Sequence, residues 1–113
     1  MRKSVLAFLA LAAALPLAAA VQTWTNVALV DQTCSAKFKP STVDTHTRTC
    51  ALACASSGYG ILTSDGTFLK FDKVGSQKAL DELKASTKKD HLRATVIGDL
   101  DGGMIKVQSV KLD

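Results

Sequence analysis

Two Asp-Gly pairs, each standing between two runs of strand-forming residues, constrain this chain more than any other feature of its sequence. Ser64-Asp65-Gly66 separates residues 59–63 from residues 67–71, and Asp101-Gly102-Gly103 separates residues 92–100 from Met104–Leu112. Asp-Gly readily adopts the positive φ angles of a tight hairpin turn. The sequence therefore predicts two β-hairpins in the second half of the chain.

One more strand and a helix complete the predicted architecture. Residues 24–30 are rich in β-branched and apolar residues and predict the first strand. After the third strand, Ala79, Leu80 and Leu83 form an apolar stripe typical of an amphipathic helix with Ser76 as its N-cap. Five strands with a helix between the third and the fourth indicate a mainly β fold, a small five-stranded OB-like Greek-key barrel. An open α+β sheet with the helix on one face is the alternative.

The last strand changes its apolar phase part-way along. Ile105 and Val107 alternate toward one face, whereas Val110 and Leu112 fall on the other. An extra residue near Gln108 would return both pairs to the same face, because a β-bulge places two residues opposite one. We therefore expect a bulge in this strand.

The first twenty residues have the order of a secretory signal peptide. Arg2 and Lys3 precede an apolar stretch at 4–17, and Ala18-Ala19-Ala20 follows it. The stretch is shorter than the roughly 20 residues of a bilayer-spanning helix, so we expect no stable membrane span after cleavage. Cleavage after Ala20 predicts a signal peptide at 1–20 and a single exported domain at 21–113, periplasmic or secreted.

The charge balance limits the classes of partner. The chain has 14 Lys+Arg and 10 Asp+Glu, a net charge of +4, and without Arg2 and Lys3 the predicted mature domain carries +2. A nucleic-acid-binding domain usually shows a stronger basic stripe, so the charge argues against a nucleic acid partner. The sequence also lacks a Ser-His-Asp arrangement, paired carboxylates and a glycine-rich phosphate loop. We therefore expect a non-enzymatic binding or interaction domain that needs no cofactor.

The segment at 31–58, between the first two predicted strands, holds all three cysteines. Cys34 follows the first strand, and Cys50 and Cys54 stand four positions apart, as neighbours on one face of a helix do. Gly58 is typical of the end of such a helix. The segment is therefore predicted to be a short helical insert that carries its thiols close to the barrel.

The start of this helix decides whether His46 joins the two thiols. Either Asp44 or Thr49 is the predicted N-cap, since both residue types accept hydrogen bonds from the first free backbone N–H groups. His46 lies on the helix only if Asp44 is the cap.

The three cysteines leave four chemical alternatives open. A disulfide from Cys34 to Cys50 or Cys54 would fasten the insert in an oxidising compartment and leave one buried free thiol. Cys34, Cys50, Cys54 and His46 together would suit a soft metal, zinc or copper(I). The spare thiol could instead exchange with the bridge in redox chemistry, or form an intermolecular disulfide in a dimer.

A ligand face is predicted on the second and third strands, where OB barrels usually bind. Tyr59, Phe68 and Lys70 would provide a small platform there. Oligosaccharide or peptide ligands match an exported location better than nucleic acid does, because base stacking normally uses several aromatic side chains in a positive groove.

Several of these motifs together resemble a group of small exported bacterial proteins whose activity is not established. The similarity lies in Trp24-Thr25, Asp31-x-x-Cys34, His46 with Cys50-x-x-x-Cys54, Asp65-Gly66 and the closing strand pair, and it covers most of residues 22–112. The resemblance implies an exported OB-like domain, and it implies no particular reaction or substrate.

Overall fold

The computed structural model describes residues 20–113, in which five β-strands close into a barrel. The strands are β1 (Val21–Asp31), β2 (Tyr59–Leu62), β3 (Phe68–Phe71), β4 (Arg93–Asp101) and β5 (Met104–Leu112). Their order around the barrel is β1-β2-β3-β5-β4, and β4 pairs with β1 to close it. The predicted mainly β barrel is confirmed, and the alternative of an open sheet is wrong. The predicted signal peptide lies outside the described residues, except for Ala20.

Within residues 20–113, three helices accompany the barrel. Two of them, α1 (Gln32–Ser35) and α2 (Arg48–Ala53), lie in the connection between β1 and β2 together with the 3-10 turns Val43–Thr45 and Ala55–Ser57. The third, α3 (Lys73–Ala85), connects β3 to β4. Among the described residues, no helix has both the length and the apolar character needed to cross a membrane.

Both predicted hairpins are present. In the first turn the amide of Gly66 donates to the carbonyl of Thr63 at 3.0 Å, and Gly66 has a φ of 86°. In the second turn Gly102 and Gly103 have φ values of 58° and 83°. The sequence located these turns because positive φ is a local requirement that few residue types meet without strain.

The predicted bulge in β5 is also confirmed. Ile97 pairs with Ser109, and the next residue of β4, Gly98, pairs with Val107, so Gln108 is the extra residue. Val107 and Val110 are consequently both buried. The change in apolar phase along the sequence of β5 therefore corresponds to a β-bulge in the backbone.

The start of α3 differs from the prediction. Asp72, not Ser76, is the N-cap, and its carboxylate accepts a hydrogen bond from the amide of Gly75 at 2.9 Å. The helix therefore begins a turn earlier than predicted, and its first turn packs closely on β5, where a Cβ atom at Gly75 would come within 2.7 Å of the Val107 Cβ. Ser76 instead accepts a hydrogen bond from the backbone of Tyr59 at 3.0 Å.

In the described part of the chain, buried apolar side chains form two separate clusters, because successive residues of a strand face opposite sides. The larger cluster fills the barrel and includes Leu29, Ile61 and Phe71. The smaller lies on the outer face of β1 and β2, where Ala28, Val30 and Leu62 pack with Val43. The partly buried Cys34, Phe38 and Phe68 pack against it. The connection between β1 and β2 therefore covers one outer face of the barrel.

Candidate functional site

A buried hydrogen bond between Asp31 and His46 fastens this covering segment, residues 32–58, which we call the insert. Asp31 ends β1 and is fully buried, and one carboxylate oxygen accepts a hydrogen bond from the amide of Cys34 at 2.9 Å, which caps α1. The other oxygen lies 2.7 Å from Nε2 of His46. A carboxylate can only accept hydrogen bonds, so we assign Nε2 of His46 as the donor in this contact. The pair thus joins the barrel to the middle of the insert.

Local structure brings His46 to this position. The 3-10 turn Val43–Thr45 precedes it, and the His46 amide donates to the carbonyl of Val43 at 3.0 Å. The imidazole also lies against Phe38, with ring centroids 4.9 Å apart. His46 is only 3 % exposed, so both its ring faces and its hydrogen bond are shielded from water.

Two of the three thiols lie beside the Asp31 carboxylate. One carboxylate oxygen and the sulfur atoms of Cys34 and Cys54 all lie within 4.8 Å of one another. Cys50 is exposed and is not part of this group. The structure therefore brings only Cys34 and Cys54 of the four predicted metal ligands together, since Nε2 of His46 contacts Asp31 and Cys50 is exposed.

Cys50 lies within α2, whereas Cys54 lies just beyond the end of this helix. Thr47 is the N-cap of α2 and accepts a hydrogen bond from the amide of Cys50 at 3.1 Å, so neither predicted cap was right. The helix ends at Ala53, which leaves Cys54 in the cap position beyond it. The chain then turns at Gly58, where φ is 81°.

All three cysteines are free in this structure. The predicted disulfide is thus not formed in it, although Cys54 is the cysteine that lies beside Cys34. Burial, and then the charge of Asp31 and a hydrogen bond to it, raise the pKa of the Cys34 thiol to about 11. Cys34 is therefore a protonated thiol at neutral pH, which is a poor nucleophile.

The predicted ligand platform is wrong for one of its three residues. Tyr59 is 1 % exposed and lies inside the barrel, where its hydroxyl donates to the carbonyl of Ala51 at 2.7 Å. Burial, together with Asp31 and Cys54, raises the pKa of Tyr59 to about 12. Phe68 and Lys70 face outward, Phe68 half-buried against the insert and Lys70 exposed. The prediction put Tyr59 on the wrong face of β2 because strand register decides which face a side chain occupies.

An open groove adjoins Lys70 at the end of β3. It has a volume of about 390 Å³ and lies between the 3-10 turn Ala55–Ser57 and the first turns of α3. Its lining includes Ser57, Lys70, Lys73, Gln77, Leu80 and Met104. We call it the α3 groove. Of the three residues of the predicted platform, only Lys70 lines this groove. Sequence patterns carried no signal for the groove because three segments that are distant along the chain form it.

An ion pair on the barrel surface also ties the insert to β4. Both carboxylate oxygens of Asp44 accept hydrogen bonds from Arg93, at 2.8 Å from Nε and 2.9 Å from a terminal nitrogen. These bonds hold the pKa of Asp44 below its usual value of 3.8. Asp44, predicted as a helix cap, therefore serves as a tether between the insert and the barrel.

Asp44→Asn is expected to lower the free energy of unfolding at pH 7 by about 1 kcal/mol, because the paired carboxylate is lost. The folded-state pKa is depressed, so this stabilisation is complete above 3.8 and disappears as the pH falls through the folded-state value. Urea denaturation of both proteins across this range measures the difference. Asp81→Asn, at an exposed position of α3, is the control. A difference that stays constant down to strong acid would contradict the assignment.

Comparison with known proteins adds no further constraint: no family model, no curated protein and no solved structure matches the chain. The resemblance to small exported bacterial proteins stays a prediction from the motifs. The function therefore has to be argued from the geometry of the described residues.

Proposed function

We propose that this chain is an exported, non-catalytic binding module with an OB-type barrel, and that the α3 groove holds a short acidic segment of a peptide or protein. The barrel order β1-β2-β3-β5-β4, with β3 and β5 parallel and α3 between β3 and β4, supports the OB assignment. The leader pattern at 1–20 supports export. The observation that carries the ligand proposal is the charge and shape of the groove.

The charge of the groove favours an anionic ligand. Lys70 and Lys73 are both exposed there, and among residues 20–113 neither ammonium forms an ion pair. Asp72 also borders the groove, but its carboxylate accepts hydrogen bonds from the amides of Gly75 and Val107 at 2.9 and 3.3 Å. Two ammonium groups thus remain for a ligand that carries carboxylates.

The remaining lining favours a peptide over an oligosaccharide. Leu80 and Met104 supply partly buried apolar surface, and the exposed Gln77 supplies an amide oxygen as a hydrogen-bond acceptor. An apolar floor with a few polar groups suits alternating side chains and backbone amides of a peptide. Phe71, the aromatic residue of the lining, is 1 % exposed and offers no ring face. An extended segment with acidic side chains matches this surface.

The test is the affinity of the protein for matched peptides, measured by fluorescence anisotropy and by chemical-shift changes in nitrogen–proton spectra. We expect an acidic peptide to bind and to shift the resonances of Lys70, Lys73 and Gln77. Lys70→Glu/Lys73→Glu is expected to weaken binding about tenfold, since each reversed contact removes about 0.7 kcal/mol. The affinity of the wild-type protein is expected to fall as salt rises.

The matched control is Lys78→Glu, compared with the single variant Lys73→Glu, because both reverse one charge on α3 and only Lys73 lies in the lining of the groove. It is expected to leave the affinity within twofold of the wild-type value. Equal weakening by Lys78→Glu would mean that overall charge, not the groove, drives binding. Tighter binding of a neutral oligosaccharide than of the acidic peptide would overturn the proposed ligand class.

A further inference from the structure

We propose that Asp31, Cys34 and Cys54 form a site for one zinc-type divalent cation, with a fourth position open to water. The three donor atoms converge from separate elements: Asp31 from the end of β1, Cys34 from α1 and Cys54 from the C-terminal end of α2. They lie within 4.8 Å of one another. This site is independent of the α3 groove.

The spacing of the donors is close to what zinc requires. Tetrahedral zinc holds sulfur at about 2.3 Å and carboxylate oxygen at about 2.1 Å, so neighbouring donors lie about 3.5–3.8 Å apart. The donors are at most 4.8 Å apart in this structure. Binding therefore requires an inward movement of about 1 Å, which rotation of the Cys34 and Cys54 side chains would supply because the Asp31 carboxylate is held by two hydrogen bonds.

The donor set selects zinc over copper(I). Thiolates bind both metals, whereas a carboxylate oxygen is a common zinc ligand and a poor partner for the softer copper(I) ion. As each Zn–S bond forms, the thiol proton passes to solvent, so two protons leave for each cation bound. No electrons are transferred.

His46 takes a different role from the one its sequence position suggests. It donates to one oxygen of Asp31 at 2.7 Å, and the Cys34 amide donates to the other at 2.9 Å. Each oxygen keeps a lone pair for a metal, and the two hydrogen bonds fix the direction in which the carboxylate points. His46 is therefore a positioning residue that orients a ligand.

The test uses the full mature chain, purified under reducing conditions, freed of metal and titrated with cobalt(II) as a spectroscopic probe. We expect one cobalt per chain, an intense thiolate-to-cobalt charge-transfer band, and its loss when zinc is added. Cys34→Ser and Cys54→Ser are expected to lose the band. The matched control, Cys50→Ser, is expected to keep it, because Cys50 is exposed and outside the cluster.

Alkylation tests the site in the wild-type protein, so its result does not depend on whether a substituted protein folds. Zinc is expected to slow the reaction of Cys54 with a thiol reagent relative to the metal-free protein, while Cys50 reacts equally in both, and peptide mass spectrometry identifies the modified positions. Absence of a charge-transfer band, or its loss in Cys50→Ser, would overturn the site. So would a Cys34–Cys54 disulfide without zinc in protein taken from the producing cell, since it removes both sulfur ligands.

Discussion

Replacing His46 with leucine is expected to lower the free energy of unfolding by about 3–5 kcal/mol, because it leaves the Asp31 carboxylate buried without its partner. Asp31 is fully buried and the His46 ring is 3 % exposed, so water cannot replace the lost hydrogen bond without opening the insert. Urea or thermal denaturation measures the loss. Outside the barrel interior, we expect no other single substitution to lower the free energy of unfolding as much.

The control for this substitution is His91→Asn, at the other histidine of the chain. His91 is exposed and has a φ of 50°, a conformation that asparagine tolerates. Its effect is expected to stay within about 0.5 kcal/mol. Removing both partners with Asp31→Ala/His46→Leu should cost less than the sum of the single changes, because no unpaired charge remains. A His46→Leu protein as stable as the control would contradict the buried pair.

Gly98→Ala is expected to destabilise the barrel by about 2–3 kcal/mol, because β4 and β5 pack too closely there for a side chain. An added Cβ would collide with the backbone carbonyl of Lys106 and come within 2.8 Å of Ile105 Cγ2. The position adjoins the bulge at Gln108, so the backbone has little freedom to move away. The midpoint of urea denaturation measures the effect.

Gly102→Asn serves as the comparison for Gly98→Ala. Gly102 lies in the turn between β4 and β5, and a Cβ there would meet no atom within 4 Å. Its φ of 58° is accessible to asparagine, so the expected loss is below about 1 kcal/mol. Equal losses of stability at the two positions would contradict the explanation that close packing of β4 and β5 excludes a side chain at Gly98.

The sequence predicted those parts of the fold that depend on local requirements. The hairpins followed from Gly66 and Gly102, and the bulge at Gln108 followed from the change in apolar phase along β5. Both signals arise within a few residues. Barrel closure followed from the order of the elements, because a small sheet has few other ways to protect its edges.

Features that depend on distant contacts were predicted less well. Thr47, Thr49 and Asp44 can all cap a helix, and the packing of the insert decides that Thr47 caps α2 while Asp44 binds Arg93. The Asp31–His46 pair joins residues fifteen positions apart, and the local sequence around each residue does not indicate its partner. The role of His46 therefore becomes visible only when the insert is folded onto the barrel.

The most direct test of the account is the exchange of the imidazole protons, followed in nitrogen–proton spectra. The central claim is that the Asp31–His46 hydrogen bond holds the insert on the barrel and sets the position of Cys34. It predicts a slowly exchanging Nε2 proton for the buried His46 and a rapidly exchanging ring for the exposed His91, with His91→Asn assigning the signals. Rapid exchange of both imidazoles with solvent at neutral pH would contradict the claim.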